Sequence, residues 1–420
     1  MEEVNIGRVL VGDSLGFHII FVGLSIGLPF LISIFEWYAW RKNDDNVRGL
    51  IRLLARWAAV FVITGVMSGT IIALQFSTLW APFMDAARPH VGKFFQLESY
   101  MFLIEAVFLA WYFATMKQVG TKKHFWISIP INIGAIGSAF FITMVNAWMN
   151  NPTGIWTSTT TNEILHSVTA YFFATTLIVL GYLAWRSLHK QTNKSQAFVQ
   201  WSMNRIAIIA AILMGLLGIL GHQSAVNIAQ TQPSKLAAIE LLDTTQTNAP
   251  MRIGGAMNDD GKAEGGIVIP GLLSLLAGNS FDTKVVGLAD YPRDRWPLLV
   301  VHLLFDIKMA LVGLASGLIA GTLFFYWRTR KQPRWFAIIL AAFGSIGIVM
   351  VELGWMLTEL GRQPWAINGK LLTVDAFTKG VNMMQTGIIF PTLFVVLFIA
   401  TTFALNYTTR QWRKTEKLSW

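Results

Sequence analysis

The chain has 420 residues, of which 54% are hydrophobic and only 13% charged, with a mean hydropathy of +0.51; a water-soluble domain normally carries about 25% charge. It contains no cysteine, which excludes disulfides, thiolate metal sites and cysteine nucleophiles. The net charge of +10 is accounted for by basic loops on one side of a bilayer and not by a nucleic-acid partner.

The opening "MEEVNIGRVL" is acidic and lacks the basic region of a cleaved signal peptide. About nine apolar segments of membrane-spanning length follow: Leu10–Trp40, Trp57–Leu79, Phe94–Met116, Phe125–Met149, Glu163–Trp185, Asn204–Ile228, Trp296–Trp327, Trp335–Leu360 and Val381–Leu405. Their connections alternate in charge. "WRKNDDNVRGLIRLLARW", "MKQVGTKKHFW", "WRSLHKQTNK", "WRTRKQPRW" and the tail "RQWRKTEK" are basic, whereas "NNPTGIWTSTTTN" has no Lys or Arg. The positive-inside rule then places the N-terminus outside and the C-terminus in the cytoplasm. The chain divides into residues 1–228 with six spans, a long outer loop 229–295, and residues 296–420 with three spans and a cytoplasmic tail. The loop holds an amphipathic stretch, "PSKLAAIELLD", and a Gly-rich piece, "NDDGKAEGGIVIPG"; connections of this length are functional or disordered.

Ionisable groups inside apolar segments are functional candidates, because the bilayer penalises them. His124 and His189 fall in inner loops and His90 in an outer loop, all three expected at a solvated surface. His18, His166 and His302 lie within apolar segments, and His222 near the end of the sixth. Glu98 and Glu105 are seven residues apart, about two helical turns, so they share a helix face that must meet something other than lipid. By helix rise, His18, Glu98, Glu105, His166 and Glu352 gather mostly in the outer half of the membrane. Such a cluster suits a metal pair, a proton-coupled transporter or haem. The Glu-x-x-His spacing of di-iron bundles is absent, and residue types alone leave haem and transport both open.

Several motifs resemble subunit I of the cytochrome bd quinol oxidases. They are "GFHIIF" around His18, "LQFSTLW" at Leu74–Trp80, "LES" and "IE" in the third segment, "VNAWMNNP" at Val145–Pro152, "ILHSVTAYF" around His166, "KLAAIE" at Lys235–Glu240, and "GRQPWAI" at Gly361–Ile367 after "VELGW". They occur in the family's order over nearly the whole chain. The resemblance implies an all-α integral membrane protein of nine helices in bundles enclosing haems, in a prokaryotic plasma membrane. It implies oxidation of quinol at the outer face and reduction of dioxygen to water, with protons from the cytoplasm.

Three haems are implied: a low-spin haem b, a high-spin haem b, and a haem d or a third haem b. His166 and Met309 resemble the low-spin ligands, with His302 as the other possible second ligand. His18 and Glu352 resemble ligands at the dioxygen-reducing pair, with Glu98 beside them as ligand or proton group and Glu105 continuing the acidic path. Lys235 and Glu240 match the quinol-loop pair. Arg8 stands ten residues before His18, as an Arg does in the family. Arg362 and Gln363, next to Trp365, are expected to meet haem propionates. A second hydrophobic subunit, and often a small single-span one, accompany the family's subunit I. A b-haem-only oxidase, one with another electron donor, and a haem-less proton-coupled transporter are the competing expectations.

Overall fold

A computed structural model describes residues 2–190 and 192–415; the last five residues of the basic tail lie outside it. The helices, in order, are α1 (Glu2–Lys42), α2 (Asp45–Leu79), α3 (Ala81–Ala114), α4 (Lys122–Asn150), α5 (Ser158–Ser187), α6 (Asn193–Thr231), α7 (Pro233–Ile239), α8 (Leu272–Gly278), α9 (Val300–Thr329), α10 (Arg334–Ala342), α11 (Ile346–Arg362), α12 (Thr373–Ala376) and α13 (Met383–Thr415). Nine spans among the described residues are long and apolar enough to cross a membrane, α10 and α11 together forming the eighth. Six short strands are added: β1 (Met251–Ile253), β2 (Ala256–Met257), β3 (Ala263–Glu264), β4 (Ile267–Ile269), β5 (Trp365–Ile367) and β6 (Leu371–Leu372). All three ladders are antiparallel pairs, β1 with β4, β2 with β3 and β5 with β6.

The spans form two packed groups. α1 to α4 make one, with α13 against α2 and α1; α5, α6, α9 and α10–α11 make the other, joined to the first through α1 and α4 against α5. Polar caps start the helices at the end away from the long loop. Asp44 accepts from the Asn46 N–H at 2.9 Å, and Thr121 and Thr192 accept from the N–H groups of His124 and Ser195. Each cap satisfies a donor that the helix cannot satisfy itself, which stabilises it by about 1 kcal/mol.

The structure differs from the sequence expectation at three places. The third span begins at Ala81 and not near Phe94, so His90 lies on a helix, its ring 5.0 Å from that of Trp148. The eighth is interrupted at Phe343–Ser345. There Gly344 lies against Gly181 of α5, where a Cβ on Gly181 would come 2.6 Å from the Gly344 Cα; glycine at both positions lets the two backbones touch. His124 is buried, not solvated. Its Nδ1 lies 2.6 Å from Glu36 Oε1, and Glu36 also accepts from the Tyr112 hydroxyl at 2.6 Å and the Gly120 N–H at 2.8 Å. This dry cluster ties α1, α3 and α4 together at the basic end.

Candidate functional site

The loop end carries a lattice of buried charges contributed by four distant stretches. α4 contributes Asn146 and Asn150, α5 Glu163, α7 Lys235, and α11 Glu359 and Arg362. Arg362 is buried; its Nη1 donates to Asn150 Oδ1 at 2.9 Å and its Nη2 pairs with Glu359. Asn146 donates to Glu359 Oε1 at 2.6 Å, and Asn150 to Glu163 Oε1 at 3.0 Å. Lys235 Nζ donates to the Thr358 carbonyl at 3.3 Å. Burial pulls the Lys235 ammonium below its ordinary range, while Glu163 acts in the opposite sense.

The short helix α7 explains why Lys235 is there. Pro233 starts it, and Leu236, Ala237, Ala238 and Ile239 are all buried. α7 therefore has no solvated side, and Lys235 and Glu240 do not form a surface pair. Glu240 Oε2 is buried without a hydrogen-bond partner among the described residues. Burial pushes the Glu240 carboxyl up to about 8, against a lowering backbone hydrogen bond from Arg252.

Arg362 and Gln363 are thus occupied differently from expectation. Two Arg362 nitrogens are taken by Glu359 and Asn150, leaving only Nε without a partner. Gln363 Oε1 accepts from the Thr373 hydroxyl at 2.9 Å. Trp365 opens β5 and lies under the Arg295 guanidinium, 5.0 Å from its ring centre. These residues brace the end of α11 against the loop.

Deeper in the bundle, His18 Nδ1 sits 2.8 Å from the Ser68 hydroxyl of α2, and its Nε2 makes no hydrogen bond among the described residues. An imidazole held through one nitrogen and free at the other is how histidine is prepared for a metal. Glu352 of α11 points toward α1, with Oε2 3.2 Å from where a Cβ on Gly16 would lie; its Oε1 is buried and unpartnered. His166 on α5 likewise has a buried, unpartnered Nδ1. Glu98 accepts from Ser138 at 3.0 Å. Glu105 is buried with Oε1 unpartnered, and its backbone packs on Gly134, whose Cβ would lie 2.6 Å from the Glu105 nitrogen. Gly134 and Ser138 are one turn apart on α4, so Glu98 and Glu105 do share a face, and that face meets α4.

The residues expected as a second low-spin ligand are less well placed. Met309 is 46% exposed on α9, and its neighbour Lys308 is the residue directed inward, with Nζ 3.0 Å from a Cβ position on Gly354. His302 is not free to replace Met309. Its Nδ1 lies 2.6 Å from the Ile239 carbonyl, its Nε2 3.0 Å from the Gly254 carbonyl, and Asp306 follows at 3.4 Å. Arg8 reaches only Asn5, at 3.5 Å.

A family model described as cytochrome bd terminal oxidase subunit I matches residues 6–413. The chain belongs to that family. A cytochrome bd relative from Bacillus subtilis, named as a putative menaquinol oxidase subunit I, is 31% identical over 97% of this chain and 96% of its own. A second from the same organism, named as a ubiquinol oxidase subunit 1, is 25% identical over 94% and 91%. The solved bd oxidase from Geobacillus thermodenitrificans superposes with a TM-score of 0.88 at 30% identity, covering 97% of this chain and 98% of that one. The cytochrome bd fold is therefore the setting for the residues above.

Haem suits the donor set. Imidazole, thioether and carboxylate are all iron ligands, and His18, His166 and Glu352 each carry a donor atom that no protein group satisfies. Among the described residues no group of three His, Cys, Asp or Glu could hold a bare metal ion. Sequence reasoning missed Glu36, Glu163 and Glu359, whereas Lys308 stands out in the sequence as a charge beside Met309. Glu163 precedes His166 by three and Glu359 precedes Arg362 by three, spacings that make helix neighbours. Glu36 is a carboxylate in an apolar run, the same signal that singled out Glu98 and Glu105.

Proposed function

We propose that this chain is the quinol-oxidising, dioxygen-reducing subunit of a terminal oxidase in a prokaryotic plasma membrane. In this reading the long loop lies outside and the basic ends in the cytoplasm. The observation that supports it best is that the buried, unpartnered donors His166 Nδ1 and Glu352 Oε1 belong to residues that the family resemblance places at iron. His166 would hold the low-spin haem b with Met309. His18 and Glu352, with Glu98 beside them, would hold the high-spin haem b and a haem d or third haem b. Bound haem supplies the redox chemistry, taking electrons from quinol and passing them to dioxygen.

The chain's own residues bind and move protons. Lys235 and Glu240 receive the quinol head group. The carboxyl of Glu240 is pushed up to about 8, so its ionised fraction grows as pH rises toward that value; that fraction accepts a quinol hydroxyl proton, which is then released on the loop side. Ser138 orients Glu98, and the buried Glu105 holds a proton one step further toward the cytoplasm. Dioxygen takes up as many protons as electrons to become water, so this path must deliver from the cytoplasmic side. A second, similarly hydrophobic subunit covers part of the exposed apolar surface.

A reduced-minus-oxidised visible spectrum of the purified complex, with acid–acetone extraction of its haems, tests this. A b-type band with a far-red chlorin band is the expected result. A b-type band alone assigns only haem b to the oxygen site. A well-folded complex without haem overturns the oxidase reading in favour of proton-coupled transport.

A further inference from the structure

The Gly-rich part of the loop forms a bent β-ribbon. β1 pairs with β4 and β2 with β3, and between the two ladders Gly254–Gly255 stands opposite Gly265–Gly266. All four glycines have positive φ, from 69° to 95°. A Cβ on Gly255 would lie 2.6 Å from the Glu264 carbonyl oxygen. Only glycine allows so sharp a bend with the strands so close.

The bend runs down the side of a membrane span. The Gly254 N–H donates to Asp306 Oδ2 at 2.6 Å, and its carbonyl lies 3.0 Å from His302 Nε2. α9 begins at Val300, so Asp306 is about 9 Å below its start by helix rise. Beyond the bend the ribbon turns back. Arg293 Nη1 donates to the Asp259 carbonyl at 2.6 Å, and Gly261 packs on Arg293 and Trp296. Both of those residues precede α9. From the bend, the β2–β3 side of the ribbon therefore rises to the level of the helix start.

Polarity follows depth. Around the bend Ile253, Ile267, Val268 and Ile269 are 42%, 67%, 44% and 37% exposed. Of the two charges flanking the bend, Arg252 is turned onto the Gly265 carbonyl, and the exposed Glu264, on the side of the returning turn, accepts from Asn258. The returning turn instead exposes Asp259, Asp260 and Lys262. Beside the bend, α9 exposes Val300, Leu303 and Ile307, at positions that share one helix face. The apolar surface of the ribbon continues the apolar face of a span.

We propose that this ribbon is seated in the bilayer leaflet on the loop side, with Ile253, Ile267, Val268 and Ile269 among lipid chains and the Asp259–Lys262 turn in water. Its partner is lipid. Apolar side chains at this depth gain by leaving water, and the ladder hydrogen bonds spare the backbone the penalty that irregular chain pays in lipid. The inference stands apart from the proposed oxidase chemistry, because it uses only depth, exposure and polarity.

The test is spin-label accessibility in the complete enzyme with its partner subunits in lipid nanodiscs. This chain has no cysteine, so Ile267→Cys, Val268→Cys and Asp260→Cys each add one site, with the unsubstituted complex as background. At 267 and 268, collision with dissolved oxygen should exceed collision with a water-soluble nickel chelate severalfold, and at 260 the order should reverse. Chelate access at 267 equal to that at 260 places the ribbon in water and overturns the proposal. Shielding of 267 from both reagents overturns it in favour of a protein cover. Ile253→Cys, which pairs with Ile267 and shares its face of the ribbon, reports on that surface should the 267 variant fail to assemble.

Discussion

Glu240 gives the loop a pH dependence that can be calculated and reversed. Burial raises its carboxyl from an ordinary 4.5 to about 8, so between those values the closed loop holds a proton that the opened loop releases. The closed state binds more protons, and its stability must fall as pH rises through this window. For a single site with these two values, the loss between pH 6 and pH 8 is about 2 kcal/mol, or roughly 50-fold in the opening equilibrium. Lys235 is shifted downward, so its loop-opened form binds more protons than its closed form. Its contribution rises with pH, at the alkaline side of this window, and offsets little between pH 6 and 8. Amide hydrogen exchange over residues 233–242, corrected for the intrinsic pH dependence of exchange, measures the opening equilibrium. Protection should fall by the stated amount in the parent, and Glu240→Gln should flatten the dependence. An unchanged opening equilibrium between pH 6 and 8, or an unchanged slope in Glu240→Gln, would refute the buried, proton-holding Glu240.

Other consequences are equally direct. Glu36→Ala removes the acceptor of three hydrogen bonds in a dry cluster and should cost about 3–5 kcal/mol, seen as a fall in the thermal inactivation temperature. Combined with His124→Ala, the loss should be well short of additive. Gly181→Val drives a side chain into Gly344 and should destabilise by about 1–3 kcal/mol, whereas a swap on the exposed face of α5 should not. Glu105→Gln should slow steady-state oxygen consumption with the haem spectrum intact; unchanged turnover refutes a proton-carrying Glu105. Glu352→Gln should alter the high-spin haem signal, and Glu359→Gln should chiefly loosen Arg362. Loss of that signal in Glu359→Gln alone would move the iron-ligand assignment to Glu359.

The spans were legible because apolar length is a local property. Glu98 and Glu105 were legible because a seven-residue spacing fixes a shared face, whatever that face meets. His124 was misjudged because Lys122 and Lys123 precede it, and local charge looks like a loop; its partner Glu36 is 88 residues away and leaves no mark nearby. The break at Phe343–Ser345 was invisible for a similar reason, since what it accommodates is the backbone of Gly181. The glycine pairs of the outer loop were noticed as composition. That they stand opposite one another, and bend a ribbon beside His302 and Asp306, is a property of register.

Two kinds of buried polar group now separate. Glu36, His124 and Tyr112 satisfy one another, and Glu359, Asn146, Asn150 and the two terminal nitrogens of Arg362 do the same, with Arg362 Nε left over; each set joins several helices, and its chemistry is spent on holding them. His166, Glu352, Glu105 and Glu240 each keep a buried atom that no protein group meets. Leaving such an atom unmet costs roughly 1–3 kcal/mol; Trp80, Thr175 and Ser202 also keep one, so what sets these four apart is an unmet atom on an ionisable group, carboxyl or imidazole. Packing could have removed every one with an apolar residue. Groups retained at that cost are the ones that iron, a proton or a substrate must complete. In the proposed reading Glu352, with a carboxyl oxygen unmet, goes with the chemistry, and Arg362, with both terminal nitrogens taken, with the framework, although both stand near the motif that marks the family.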